Sequence, residues 1–173
     1  SEVSEYWQKV LEINIWQQKR IYRLIVEKLF NTVSGKKICI LGFAFKANTN
    51  DSRESPAIQI CKDLLDDGCN ISIYDPKVLK ETIQKDLDIS KINYGDSSNH
   101  LGHYEYYNNL YEAARGADAM VILTEWSEFK SLDFKKLSEI MRPPAWIFDT
   151  RSIIKIDSAK EFGINVWSIG KNN

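Results

Sequence analysis

Side chains that bind metals or carry redox chemistry are scarce in this chain, whose 173 residues hold 2 histidines and 3 cysteines. His100 and His103 lie in a polar stretch with no acidic or thiol partner at ligand spacing. They read as solvated loop residues, and no metal site is expected. An odd cysteine count without paired spacing argues against a disulfide framework. Cys39 in an apolar run, Cys61 in a helical pattern and Cys69 just past a helix stop read as buried thiols in a reducing, cytoplasmic setting. No apolar run approaches the ~20 residues needed to cross a bilayer, and no signal peptide is read at the start. The balance of 23 basic against 24 acidic residues leaves a net charge of −1. That gives no electrostatic case for nucleic acid or an anionic membrane, so any anion site must be local. With 8 glycines and 4 prolines there is no low-complexity tract, and no internal repeat is present. Catalytic groupings are missing as well. No cysteine has a nearby histidine, no Ser-His-Asp pattern appears, and Asp66 and Asp67 read as an exposed helix end.

What remains has ordinary globular values, 43% hydrophobic and 27% charged. The first thirty residues read as one long helix, with Tyr6, Val10, Ile13, Trp16, Ile21, Leu24, Ile25 and Leu29 recurring near the 3.6 period. Tyr6, Trp7, Trp16, Tyr22 and Phe30 make it aromatic beyond one ordinary face, which suits packing on another domain or a second subunit. Asn31, Ser34 and Gly35 are expected to end it.

Strands and helices then alternate. Strands are predicted over Lys37 to Leu41, Ile71 to Tyr74, Ala119 to Leu123, Trp146 to Phe148 and Ile164 to Ile169, with a marginal one at Tyr104 to Tyr107. Ser55 as N-cap, Pro56 at the first helical position and Gly68 as stop delimit a helix. Shorter helices are predicted over Leu79 to Leu87, over Leu110 to Arg115, and from the Asp133 cap through Met141. Residues 88–103 read as a polar loop. Such alternation implies an α/β fold, a doubly wound Rossmann-like parallel sheet with a long N-terminal helix.

One connection stands out. Twelve residues, Phe43 to Glu54, separate the first strand and Gly42 from the helix start at Ser55, whereas strand-to-helix connections usually take about 2–6. Lys46 and Arg53 lie within it. Ligands of doubly wound sheets sit beyond the carboxyl ends of the strands. Arg151, after the WIF strand, reaches the same edge, so Lys46 and Arg151 can meet one anion while Arg53 stands at the mouth of the next helix. The alternative is three ordinary surface cations among 23. A dinucleotide fingerprint, G-x-G-x-x-G, is absent, since Gly42 is followed by Phe43, Ala44 and Phe45. Asp75 imitates the ribose-binding acid of that motif, and beside Pro76 it also reads as a turn residue. The residues by themselves describe a binding domain with no reaction centre of its own.

The stretch ILGFAFKANTNDSRES, Ile40 to Ser55, resembles the UDP-glucose 6-dehydrogenase family at the start of its C-terminal UDP-binding domain. Other segments agree in order: YWQKVLEIN from Tyr6, LFNTVSGKKI from Leu29, IYDPKV from Ile73, GADAMVILTEW from Gly116, IFDTR from Ile147, and SIGK near the end. The resemblance implies residues 1–33 as the end of a central linker and dimerisation helix, and 34–173 as the UDP-sugar-binding domain. It implies oxidation of UDP-glucose to UDP-glucuronate with two NAD⁺. In the family a cysteine traps the C6 aldehyde, and that Gly-Gly-Ser-Cys-Phe segment belongs to an N-terminal half with no counterpart here. No catalytic residue is therefore assigned, NAD is expected mainly on the N-terminal NAD-binding domain, and the fragment alone is expected to be inactive. By position, Phe45 and Lys46 match the loop that contacts the UDP-sugar, Arg151 matches the arginine at the substrate, and Arg53 matches one that reaches across the cleft to NAD. Thr150 and Ser152 stand where the family often has a glycine and a second arginine, and Ala47 and Asn48 replace an often charged pair. Implied partners are UDP-glucose, the N-terminal domain and further copies in a homodimer or larger homo-oligomer. Alternatives are a dehydrogenase of UDP-N-acetylhexosamines or GDP-mannose, or a stand-alone nucleotide-sugar-binding module without chemistry.

Overall fold

The structure, a computed structural model, describes residues 1–88 and 102–171. The loop read over 88–103 falls largely outside the described residues, as does His100. The chain divides into two compact units, Ser1–Thr32 and Val33–Asn173.

The first unit is helix α1, Glu2–Lys28. Ser1 caps it by accepting from the Ser4 amide, and Glu2 and Glu5 at the start with Lys28 at the end complement the helix dipole. It stops at Lys28, before the residues expected to end it, because Phe30 and Asn31 both adopt a left-handed backbone with φ of 64°. Tyr6, Trp7, Ile13 and Trp16 are each more than half exposed. Arg20 lies over the Trp16 ring at 5.7 Å.

The second unit carries six strands, β1 Lys37–Leu41, β2 Asn70–Tyr74, β3 Tyr104–Tyr106, β4 Ala119–Ile122, β5 Trp146–Asp149 and β6 Asn165–Ser168. They form one parallel sheet in the order β3-β2-β1-β4-β5-β6. The chain winds one way from β1 to β3, then crosses back to β4 and winds the other way. The switch point therefore lies between β1 and β4. Ile38 to Leu41 and Ala119 to Ile122 are fully buried, as their unbroken apolar runs require of central strands covered on both faces.

Helices α2 Pro56–Asp66, α3 Lys80–Asp88, α4 Leu110–Ala114 and α5 Phe134–Ile140 occupy the predicted places to within a few residues. Ser55 caps α2 through the Ala57 amide, and Asp133 caps α5 through that of Lys136. Helix α2 buries Ala57, Ile60, Cys61 and Leu64, and Gly68 ends it at a φ of 79°. Two short elements had no periodic signal: a 3₁₀ turn, Ser127–Ser131, pinned by buried Phe129, and helix α6, Ile156–Lys160, which buries only Ala159. With one anchor each they are too short to show a period. All three cysteines are free and buried, as their positions had suggested. Among the described residues no helix is long and apolar enough to cross a membrane, and no acidic, thiol and imidazole group is arranged to hold a metal ion.

Candidate functional site

Parallel register levels the carboxyl ends of the central strands. Leu41 pairs with Tyr74 and with Ile122, and Ile122 pairs with Asp149. Gly42, Asp75, Leu123 and Thr150 therefore leave the sheet side by side, and the loops they begin share one edge.

Asp75 sits at the centre of that edge, 1% exposed. Its Oδ1 accepts the amides of Lys77 and Val78, at 2.8 and 2.9 Å, as a turn residue beside Pro76 does. Its Oδ2 accepts the amides of Phe43 and Ala44, at 2.7 and 3.0 Å, and the indole Nε1 of Trp126 at 3.2 Å. The turn reading of Asp75 was thus half of its role. The other half has no marker in the sequence, because its donors come from loops 31 to 51 residues away.

The loop after β1 is closed down. Gly42 has φ of 93°, and a β-carbon there would lie 2.5 Å from Cβ and Oγ1 of Thr124. Thr124, buried after β4, donates its hydroxyl to the Ala44 carbonyl at 2.8 Å. The Phe45 amide donates to the Asp51 carbonyl at 2.8 Å, which folds the loop onto itself. Phe43 and Ala44 are buried, whereas Phe45, 47% exposed, and Lys46 face outward. Among the described residues Lys46 has no hydrogen bond or ion pair, so its ammonium is available to an anion.

Arg53 is placed differently. Its side chain is 87% exposed and grips Asp51 with two nitrogens, Nε to Oδ1 at 3.0 Å and Nη2 to Oδ2 at 2.8 Å. The hydrogen bonds from Arg53 hold the Asp51 carboxyl down at about 2. Neighbouring Ser52 is buried and donates to Asp86 of α3 at 2.5 Å, so the loop end is anchored while the guanidinium stays in solvent.

Beyond β5, Asp149 accepts the amides of Arg151, Ile153 and Ile154, at 3.0, 2.8 and 3.0 Å. Ser152 takes a φ of 58° inside that turn. Arg151 leans back over β4, its Nε donating to the Leu123 carbonyl at 3.0 Å and lying 3.4 Å from Glu125 Oε2. That carboxylate oxygen is buried and accepts no hydrogen bond from a described residue. Both contacts use Nε, which leaves the paired Nη nitrogens without a hydrogen bond to a described residue.

Lys46 and Arg151 thus stand on loops either side of β4, each with unspent donors, while Arg53 is spent on Asp51. Thr124, Glu125 and Trp126, polar residues that the sequence places after β4 without assigning them a role, tie the loops together through their side chains. Their signal was their position at a strand end. The edge does not fit a nicotinamide dinucleotide held in the usual way. The acid that would face a ribose is buried under five donors, and the amides that would meet a pyrophosphate, those of Phe43 and Ala44, already donate to it.

Fold and edge define a doubly wound domain of the dinucleotide-binding kind, with its cofactor loop shut and two cations left at the switch point. Residues 39–156 match the UDP binding domain of the UDP-glucose/GDP-mannose dehydrogenase family. The chain belongs to that family. It is 48% identical over 98% of its length to UDP-glucose 6-dehydrogenase 4 of Arabidopsis thaliana, and 46% identical over 98% to UDP-glucose 6-dehydrogenase 1 of Glycine max. It spans 37% of the length of each. Among solved structures, NDP-N-acetyl-D-galactosaminuronic acid dehydrogenase from Methanosarcina mazei Go1 superposes with a TM-score of 0.66 at 27% identity, over 90% of this chain and 29% of that one. A UDP-glucose dehydrogenase from Pyrobaculum islandicum shares the fold, with a TM-score of 0.66 at 21% identity over 93% of this chain and 31% of that one.

Proposed function

We propose that this chain is the substrate-holding part of a UDP-glucose 6-dehydrogenase, an enzyme that oxidises UDP-glucose to UDP-glucuronate with two NAD⁺. The observation that carries the reading is 48% identity along 98% of the chain to a relative named for that activity. The two cations at the sheet edge, each with donors left for a ligand, support it. Lys46 supplies a point charge and Arg151 a planar pair of donors, which suits the two phosphates of a uridine diphosphate. Phe45, half exposed beside Lys46, offers an apolar face to the same ligand.

In this reading residues 34–173 hold the UDP-sugar and 1–33 are the end of a linking helix. The closed loop around Asp75 supports a reading in which NAD sits mainly on another part of the whole enzyme, with Arg53 reaching toward it. Arg53 has a route to such a contact, since its side chain is 87% exposed and its partner Asp51 lies on the same loop. The aromatic exposed on α1 suit assembly into a homodimer or larger homo-oligomer, and three reduced, buried thiols suit the cytoplasm.

Calorimetric titration of the chain with UDP-glucose, beside Lys46→Ala and Arg151→Ala, tests the site. Each variant is expected to weaken binding about tenfold, the worth of one charge-assisted contact. Unchanged affinity in both would sink the assignment. GDP-mannose and UDP-N-acetylglucosamine, titrated in parallel, distinguish the related dehydrogenases, and equal or tighter binding of either would redirect the substrate assignment.

A further inference from the structure

We propose that Asp75 is a positioning residue for the UDP-sugar site, holding the Lys46 side and the Arg151 side of it in register; this rests on the reading of those two cations given above. Asp149 provides the contrast. It too is a buried aspartate at a strand end that accepts backbone amides, but all three of its donors, Arg151, Ile153 and Ile154, belong to its own turn. Asp75 needs only Oδ1 for its own turn, and spends Oδ2 on donors from two other loops.

Those outside donors lead to the two sides of the site. Phe43 and Ala44 immediately precede Phe45 and Lys46. With their amides on Asp75 and the Ala44 carbonyl on Thr124, the peptide just before Phe45 is held from both sides. Trp126 follows Glu125, whose carboxylate pairs with Arg151. Its indole on Asp75 therefore anchors the loop that orients the guanidinium. One carboxylate thus braces both cations without touching either. It occupies the place of the acid that would face a ribose in a dinucleotide domain, turned inward to shape the loop instead.

The substitution Asp75→Asn leaves volume unchanged but turns an amide group toward either two or three of the five N–H donors. Trp126→Phe removes the indole donor and keeps an aromatic ring, although a smaller one, at a buried position. Both are measured by UDP-glucose titration well below their unfolding midpoints, with circular dichroism confirming the fold. Amide exchange at Ala44 and Phe45 is followed alongside, as a readout that a role in stability alone would leave no different from the rest of the core. Asp75→Asn is expected to raise the dissociation constant about tenfold and Trp126→Phe about threefold, in line with losing one to two buried hydrogen bonds that orient a charged contact. Exchange at Ala44 and Phe45 should quicken in Asp75→Asn and not at Ile40 or Val121. Affinities within twofold of the parent in both variants would overturn the proposal. If Asp75→Asn does not fold, an unchanged affinity in Trp126→Phe overturns it and a weakened one supports it. Lys46→Ala and Arg151→Ala separate the two ideas. If neither weakens binding, the site reading fails and this role falls with it; if both do and the Asp75 and Trp126 variants do not, only the positioning role fails.

Discussion

Thr124 occupies the space into which a side chain on Gly42 would have to grow. A β-carbon there would come within 2.5 Å of Thr124 Cβ and Oγ1 and 2.8 Å of its backbone nitrogen. The glycine of a dinucleotide loop leaves room for a ligand's phosphates. Here the same residue makes room for a threonine that bolts β1 to β4 through the Ala44 carbonyl. Gly42→Ala meets both that contact and a φ of 93°. It is expected to lower stability by roughly 2–4 kcal/mol, combining backbone strain with overpacking, as read from urea unfolding midpoints.

The Asp51 carboxyl is held at about 2 by hydrogen bonds from Arg53, below the ~3.9 usual for aspartate. A folded value below the unfolded one means the pair's contribution is complete above the unfolded value and is lost as pH falls through the folded one. The window is therefore about pH 4 down to 2. Because the pair lies in solvent, salt should shrink the effect. In Arg53→Ala, a carbon-detected titration should return the Asp51 carboxyl to the ordinary range. A carboxyl that stays near 2 would mean that something other than the guanidinium holds it.

Arg151→Lys should fail to restore what Arg151→Ala loses. Arginine spends Nε on the Leu123 carbonyl and keeps two Nη nitrogens for a ligand. A single ammonium cannot serve both. Binding of UDP-glucose to Arg151→Lys is expected to stay within about threefold of Arg151→Ala, since the difference is one shared contact. Full recovery of affinity would show that charge alone suffices.

Burial raises the thiols of Cys39 and Cys69 to about 12, and that of Cys61 higher still. Thiolates are the reactive form. At pH 8 an aromatic disulfide reagent should find no fast-reacting thiol in the folded chain and 3 after denaturation. A fast native thiol would contradict the buried, structural reading of these residues.

Trp7 and Trp16 lie 60% and 57% exposed on α1. If this face joins copies of the chain, Trp7→Ser with Trp16→Ser should shift sedimentation toward monomer at micromolar concentration without lowering the unfolding midpoint of the sheet domain. A parent chain that is already monomeric there would remove the oligomer from the proposal.

Much of this was legible in the sequence, for identifiable reasons. The ILGFAFK run, with its long connection before the Ser55-Pro56 cap, marked β1, the loop and α2, because buried strands need unbroken apolar residues and helix starts need a cap. AMVIL marked β4 in the same way. What spacing along the chain does not encode is which donors meet across strand ends. Asp75 looked like a turn residue because only its neighbours in sequence were in view, and Arg53 looked as free as Lys46 until the pairing with Asp51 was seen. Local propensity and patterning determined the elements, their order and the edge at which a ligand would sit. Only the parallel register of β1, β2, β4 and β5, which levels Leu41, Tyr74, Ile122 and Asp149, decided that one buried carboxylate would gather the loops, because those hydrogen bonds exist only once separate strand ends are packed side by side.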